Sequence, residues 1–503
     1  MNQRWTRTFL MLFSLVCLLS FTAVHAQQDE RLTQFEQIIQ DEMAYYHVPG
    51  SAVAVISGDE VIYAQGFGWR NVEEELPFTT ETRFRIGSTT KSMTSLLLAQ
   101  LVDEGVLTWD TPVTDILPDF ATADSELTAQ ITVRDLMGMA TGLVSSTLDA
   151  FDWGNWDSER LLSAIAAQTI TGEFRNSHHY NNEVYALAGY VGAVASGLEP
   201  TLASYQTLMQ ARLFDPIGMT SAIITDDHSA LGDNYAEPYE PDLLAEADAI
   251  TRMNDAPIAL VAPAGGVWVN IEDMAKYVIT QMNGGVTPQG ERIVSAENLA
   301  ATWAPGASLG LEAVPGYEDA RYGMGWVTQT YRGVSMRHHN GGWTGYMTQL
   351  SIFPDSDTAI LVFSNSLLGG QLNDTLAFSF AELWNGLDLQ AAAQRRVDFE
   401  AIRTQIEQIR SLAEGEIAAE TAAPLLGTYT DNWVVEYHED DSSLWLTHGA
   451  WAFRLVYVPV LGQYMVVNNG ALGVGVDFNP LNDPVSLVIS AGETEAYTLE
   501  RVE

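Results

Sequence analysis

Apolar residues Leu32, Phe35, Ile38, Ile39 and Met43 recur at the spacing of one helix face, and Pro49-Gly50 ends that pattern. The period then shortens: SAVAVISGDEVIYAQGFGW (51–69) reads as two strands about a Ser57-Gly58-Asp59 turn, a β-hairpin. From Thr89 to Glu104, Leu96, Leu97, Leu98, Ala99, Leu101 and Val102 make the segment apolar nearly all round. Such a segment is expected to be a helix in the middle of a domain, with Gly105 as its stop. Residues 110–300 carry mostly helical patches, among them YALAGYVGAVASG and IEDMAKYVITQMNGG. Strand character returns in YGMGWVTQTY, YMTQLSIFP and TAILVFSNS. Strands at both ends with helices between them predict an α+β fold, one sheet built from distant parts of the chain. Phe399, Ile402, Ile406 and Ile409 then mark an amphipathic helix, and the text after Pro424 turns to short strands and turns. The expected organisation is a signal peptide at 1–26, a catalytic domain at 27–388, a helical linker at 389–420 and a small β domain at 421–503.

The first 26 residues set the compartment. Arg4 and Arg7 precede an apolar run from Phe9 to Val24, and Val24-His25-Ala26 offers a cleavage site, so the chain is expected to be secreted or periplasmic. Cys17 is the only cysteine and leaves with that segment, so neither disulfide nor thiol chemistry is expected afterwards. No later run is long and apolar enough to span a bilayer, so stable membrane insertion after cleavage is not expected. The formal net charge of −42 repels nucleic acid and anionic lipid, which leaves a small molecule or peptide as the expected partner.

One small basic feature changes this picture. The chain has only two lysines, and one of them, Lys91, lies three residues after Ser88 at the mouth of the buried helix. A serine hydroxyl needs a neighbour to take its proton. Positions three apart share a helix face, and the helix amino end offers N–H groups to an oxyanion. Burial also pushes a lysine toward its neutral, proton-accepting form. The bland alternative is a capping serine beside a surface lysine. The other lysine, Lys276, stands on an ordinary helix face.

Two further motifs join it. HHYNNE holds Tyr180-Asn181-Asn182 before an apolar helix, and HHNGGWTGY holds His339-Asn340-Gly341-Gly342 at a strand. With FRIGSTTKSM, ITVRDLMGMATGL, LFDPIGM and PAGGVWVNIEDMAKY, the chain from about Val48 to Ser366 resembles the serine β-lactamase-related family. That family includes class C β-lactamases, DD-carboxypeptidases, D-aminopeptidases and some esterases. The resemblance implies a transpeptidase-like antiparallel sheet with a helical subdomain, no cofactor and no metal. It further implies Ser88 as acylated nucleophile, Lys91 as proton partner, and Tyr180 as a phenol passing a proton to the leaving group. Asn182, His339 and Gly341 would contact substrate, and the backbone N–H groups of Ser88 and Gly342 would form the oxyanion hole. Whether Lys91 or Tyr180 acts as base is left open by the letters. The part after Pro424 resembles the lipocalin-like β domain of some family members.

Departures narrow the expectation. Lactamases of the family generally carry lysine where this chain has His339, and imidazole is mostly neutral near pH 7. The His-x-Gly form resembles the carboxypeptidase and aminopeptidase branches, so D-amino-acid peptides or amides are the favoured substrates, then short esters, then β-lactams. A wall-peptide or penicillin sensor with negligible turnover is the alternative of another class. Asn340 and MGMATGL also depart from the usual letters. Gly306-Ala307-Ser308-Leu309-Gly310 fits a nucleophile elbow, but Ala304-Pro305 before it reads as loop. Neighbouring His178-His179 and His338-His339 would point to opposite faces of a strand, which argues against a zinc site. Glu439-Asp440-Asp441 reads as a solvated turn.

Overall fold

The fold is given by a computed structural model that describes residues 28–145, 147–245, 249–311, 317–412, 415–468, 470, 474–479, 485–491 and 495–502. The expected signal peptide lies outside the described residues. Residues 28–45 form the first helix, α1. Strands β1 (Gly50–Ser57) and β2 (Glu60–Asn71) form the hairpin, Ser57 opposite Glu60 across the Gly58-Asp59 turn. With β3 (Leu76–Pro77), β4 (Tyr317–Tyr322), β5 (Val327–Tyr331), β6 (Val334–Trp343), β7 (Tyr346–Phe353) and β8 (Thr358–Ser364) they build one sheet of order β4-β5-β6-β7-β8-β1-β2-β3, antiparallel throughout. Ser51 of β1 pairs with Ser364 of β8, so the last strand closes beside the first.

Both faces of this sheet are covered, which explains why β1 and β8 read as unbroken apolar runs. Ala52, Ala54, Ile56, Ala359, Leu361 and Phe363 enter the core shared with the helical part. The residues between them, Val53, Val55, Ile360 and Val362, pack on the other side with Phe35 and Ile39 of α1. Helix α2 (Thr90–Asp103) is buried without a break from Thr90 to Leu101. Against it lie α3 (Asn182–Ala195) and a short turn of helix at Ala262–Gly265. Helices α4 (Ile271–Met282) and α5 (Gly369–Trp384) complete the layers.

Two local expectations are refined. The helix starts at Thr90, one residue later than expected, because Gly87–Thr89 is a 3-10 turn that sets Ser88 apart from the regular ladder. YGMGWVTQTY is two strands rather than one, broken at Gly323–Trp326. A Cβ on Gly325 would lie 2.8 Å from the Lys91 carbonyl oxygen, and the Ser95 hydroxyl donates to the Met324 carbonyl at 2.6 Å. The break therefore lets this backbone press onto α2.

The expected linker helix is α6 (Ala391–Leu412), with Phe399 buried in the α1 side of the sheet core. Eight consecutive strands from Gly427–Tyr429 to Glu495–Glu500 then pair in simple order. A bridge between Tyr429 and Arg501 joins the two ends, so the sheet is a nearly closed barrel. Apolar side chains of the larger part dock into it. Phe151 packs edge-on to Trp433, Trp451 and Phe453. Leu243, from the hairpin Tyr239–Pro241/Ile250–Arg252, packs with Val456, Val458, Met465 and Val467.

Candidate active site

The 3-10 turn holding Ser88 is pinned to the sheet by close backbone approach. A Cβ on Gly341 would sit 2.0 Å from the Ile86 carbonyl and 3.0 Å from the Ser88 nitrogen, and one on Gly87 would sit 2.6 Å from the Gly342 nitrogen. Only side-chain-free residues fit at this crossing. The Thr348 hydroxyl on β7, whose residue pairs with Gly341, donates to the Ile86 carbonyl at 2.8 Å and lies 2.8 Å from the Thr89 hydroxyl. The backbones at Ser88 and Gly342 are thereby brought side by side.

Three side chains converge there. The Ser88 hydroxyl oxygen accepts from the Tyr180 hydroxyl at 2.5 Å and from the Lys91 amine at 3.1 Å. Lys91 also donates to Asn182 Oδ1 at 2.6 Å and to the Ala264 carbonyl at 2.9 Å. Tyr180 is brought in by the start of α3, where the neighbouring Asn181 caps the helix by accepting from Val184 N–H at 3.0 Å. Asn182, one residue on, faces Lys91 instead.

Burial sets the proton affinities. Lys91 is 0 % exposed, and desolvation holds its amine well below the usual lysine range, opposed by the charge of Glu183. Although 45 % of Tyr180 is exposed, the protein packed around its phenol raises its proton affinity, and the Ser88 bond only partly offsets this. An amine inclined to be neutral and a phenol inclined to stay protonated thus share one serine oxygen. Lys276, by contrast, is half-buried and bonded to Gly218 O and Asp273, away from any such group.

His339 is 2 % exposed and both its nitrogens are engaged: Nδ1 with the Asn340 carbonyl at 2.5 Å, Nε2 with the Tyr322 hydroxyl at 2.8 Å. The carbonyl can only accept, so Nδ1 carries the hydrogen and Tyr322 donates to Nε2. Desolvation first, then the Lys91 charge, push the ring down to about 3. His339 therefore stands as a neutral support of β6 and leaves no ring nitrogen free for substrate. His178 stacks on Tyr322, ring centres 4.6 Å apart, and braces it from the other side.

Tyr322, Trp153 and Glu183 were not among the residues the letters singled out. Tyr322 does lie in the quoted YGMGWVTQTY, and Glu183 closes the quoted HHYNNE, but neither letter signals burial. Ser308 sits in a loop, bridged to Arg321, with none of the strand-turn-helix setting an elbow needs. Among the described residues, no group of three or more His, Cys, Asp or Glu is placed to hold a metal, and no helix is long and apolar enough to cross a membrane.

A sheet flanked by helices, with a serine, a lysine and a tyrosine gathered at the head of a buried helix, defines a class of serine hydrolases. The beta-lactamase family model matches residues 35–380, and the chain belongs to that family of serine hydrolases. It is 23% identical over 472 residues to an unguisins hydrolase of Aspergillus campestris, covering 87% of this chain and 84% of that one. It is 28% identical over 348 residues to penicillin-binding protein 4 of Amycolatopsis lactamdurans, covering 67% and 85%. The octameric penicillin-binding protein homologue from Pyrococcus abyssi shares the fold with a TM-score of 0.61 at 20% identity, over 93% of this chain and all of that one.

Proposed function

We propose that this chain is an exported serine hydrolase that acylates Ser88 and then releases the acyl group to water. The observation that carries this reading is the Ser88 oxygen accepting at 2.5 Å from Tyr180 and 3.1 Å from Lys91. Neutral Lys91 takes the hydroxyl proton as the serine oxygen bonds to the substrate carbonyl carbon. The carbonyl oxygen, now negative, accepts from the Ser88 and Gly342 amides. Tyr180 gives its proton to the departing nitrogen or oxygen and recovers one through Lys91. Water repeats the attack and restores Ser88. The lowered proton affinity of Lys91 and the raised affinity of Tyr180 favour the amine as base.

Among amide and ester substrates, D-amino-acid peptides and amides are favoured. A neutral His339 offers no cation to a substrate carboxylate, and the net charge of −42 disfavours anionic ligands further. The unguisins hydrolase, matched over 87% of this chain, supports turnover rather than binding alone.

A fluorophosphonate probe followed by a substrate panel tests the reading. Labelling should occur in the wild type and vanish in Ser88→Ala, and Lys91→Ala should slow it by about 10²- to 10⁴-fold. D-amino-acid peptides and amides should be turned over faster than short esters, and these faster than a cephalosporin. Stable labelling with no turnover of any of them would make the protein a sensor instead.

A further inference from the structure

Strand β5 pairs with β6 only as far as Val327 opposite His338, whereas β7 pairs with β6 on to Trp343. From His339 to Trp343 one edge of β6 therefore carries no strand among the described residues, and an extended chain can lie along it. The strand ends at Trp343, where Thr344 at φ 38° and Gly345 at φ 81° turn it back into β7. Side chains two apart on a strand share a face. A Cβ on Gly341 would sit 3.0 Å from the Ser88 nitrogen, so that face is the one toward the serine. His339 and Trp343 stand on it, one on either side of the glycine.

The two ends of this edge differ. At the His339 end lies the Tyr180 ring, 6.5 Å from the rings of His339 and Tyr322, and Tyr180 is 45 % exposed. At the other end Trp343 is partly buried and stacks at 5.5 Å and 18° on Trp153, which is 5 % exposed. The Trp153 indole N–H donates at 3.1 Å to Glu183, the residue after the Asn182 that accepts from Lys91. The stacked pair thus reaches from β6 to the start of α3, the elements that hold Ser88 between Gly341 and Tyr180. Trp343 is fixed from behind as well: its indole N–H donates to the Ala256 carbonyl at 2.8 Å, and Trp451 of the barrel meets it edge-on at 6.0 Å. An indole held by a stack, a hydrogen bond and an edge contact has little freedom to swing aside.

We propose that Trp153 and Trp343 set the acyl specificity of the enzyme: they wall off one end of the cleft, so that the acyl group given to Ser88 is short while the leaving group is unrestricted in length. The inference rests on the reading of Ser88 as the acylated residue and Tyr180 as the proton donor to the leaving group. With Tyr180 at the His339 end, the leaving group lies toward that end and toward solvent. The acyl chain runs the opposite way, along β6 past Gly342. Trp343 comes at the next position, a rise of about 3.3 Å, so an acyl chain longer than about one amino-acid residue meets the indole pair. A methylene too many in such a pocket costs about tenfold or more in kcat/KM. A peptide is therefore opened at its first amide bond, and the barrel, through Trp451, backs the wall that imposes this limit.

p-Nitrophenyl esters of acetic, butyric, hexanoic and octanoic acid vary the acyl group at a constant leaving group, and their kcat/KM values test this. The wild type should lose about tenfold or more between butyryl and octanoyl. Trp343→Ala opens the wall and should raise the octanoyl-to-acetyl ratio about tenfold or more. Trp343→Phe keeps a ring for the Trp153 stack, is better placed to fold, and should raise the ratio by less. Acetyl esters of short and long alcohols form the control series, whose ratio should be the same in the wild type and both variants, because Trp343 stands away from the leaving group. A wild type indifferent to acyl length, or an octanoyl-to-acetyl ratio unmoved in both variants, overturns the proposal. So does an equal shift in the alcohol series, which would show general loosening rather than loss of a wall. Ser88→Ala separates this from the underlying reading: if it hydrolyses the acetyl ester at the wild-type rate, the acylation of Ser88 fails. If Ser88→Ala is dead while the wild-type acyl series is flat, only the role of the two tryptophans fails.

Discussion

His338 and His339 are neighbours on β6 that face opposite sides, and both rings are held neutral by burial, His338 down to about 4 and His339 to about 3. His339 has its two partners, whereas neither ring nitrogen of His338 has a hydrogen-bond partner among the described residues. In an unfolded chain an imidazole gains its proton near pH 6.5. Between about 6.5 and the lower folded values the unfolded state binds more protons, so stability is lost as pH falls through that window. These two rings together should withdraw several kcal/mol between pH 7 and 4. Urea midpoints at pH 7, 5 and 4 should fall steadily, and His338→Gln should flatten the fall. An equal slope in the variant would mean that His338 already protonates in the folded protein. At this scale Ser88, Lys91 and Tyr180 could be picked out by their spacing and letters. Glu183 could not, since a glutamate on a helix most often faces water and only the packed core shows otherwise.

Among elements, the crossing of β6 over the Gly87–Thr89 turn does most to shape the site, and its two glycines differ in what surrounds them. A Cβ at Gly341 meets the Ile86 carbonyl at 2.0 Å, backbone that cannot move aside without displacing Ser88. A Cβ at Gly342 meets the Met347 sulfur at 3.1 Å, the flexible side of a thioether. Gly341→Ala should therefore abolish Ser88 labelling and cost about 1–3 kcal/mol of stability, while Gly342→Ala keeps its amide and most of the activity. Labelling rates with thermal melts decide it, and similar losses in both variants would mean that strand flexibility, not the contact, governs the crossing. The hairpin at 51–69 and the buried helix were plain in the apolar pattern. The break of YGMGWVTQTY was not, because only the approach to Lys91 O calls for it.

At the scale of the whole molecule the barrel is wedged against the catalytic part by Phe151 and by Leu243, each surrounded by barrel side chains. Shared cores of this kind make two domains unfold together. Calorimetry of the wild type should show one transition. Phe151→Ala, which removes an aromatic from among three others, should split it, with the barrel melting first. A single unsplit transition in Phe151→Ala would mean that the remaining contacts, Leu243 and Trp343 with their barrel neighbours among them, suffice to join the domains.

What the sequence by itself determined was the periodicity of the strands and helices, the chemical identity of the serine, lysine and tyrosine, and the family they resemble. These follow from local spacing, which needs no knowledge of distant contacts. Only the tertiary structure decided that His339 is sealed behind Tyr322, that Glu183 is buried with its carboxylate on the Trp153 indole, and that Trp343 stacks on Trp153 while meeting Trp451 of the barrel. Each of those depends on desolvation and on partners far along the chain, and proton affinity inside a core is set by such surroundings rather than by the letter at a position.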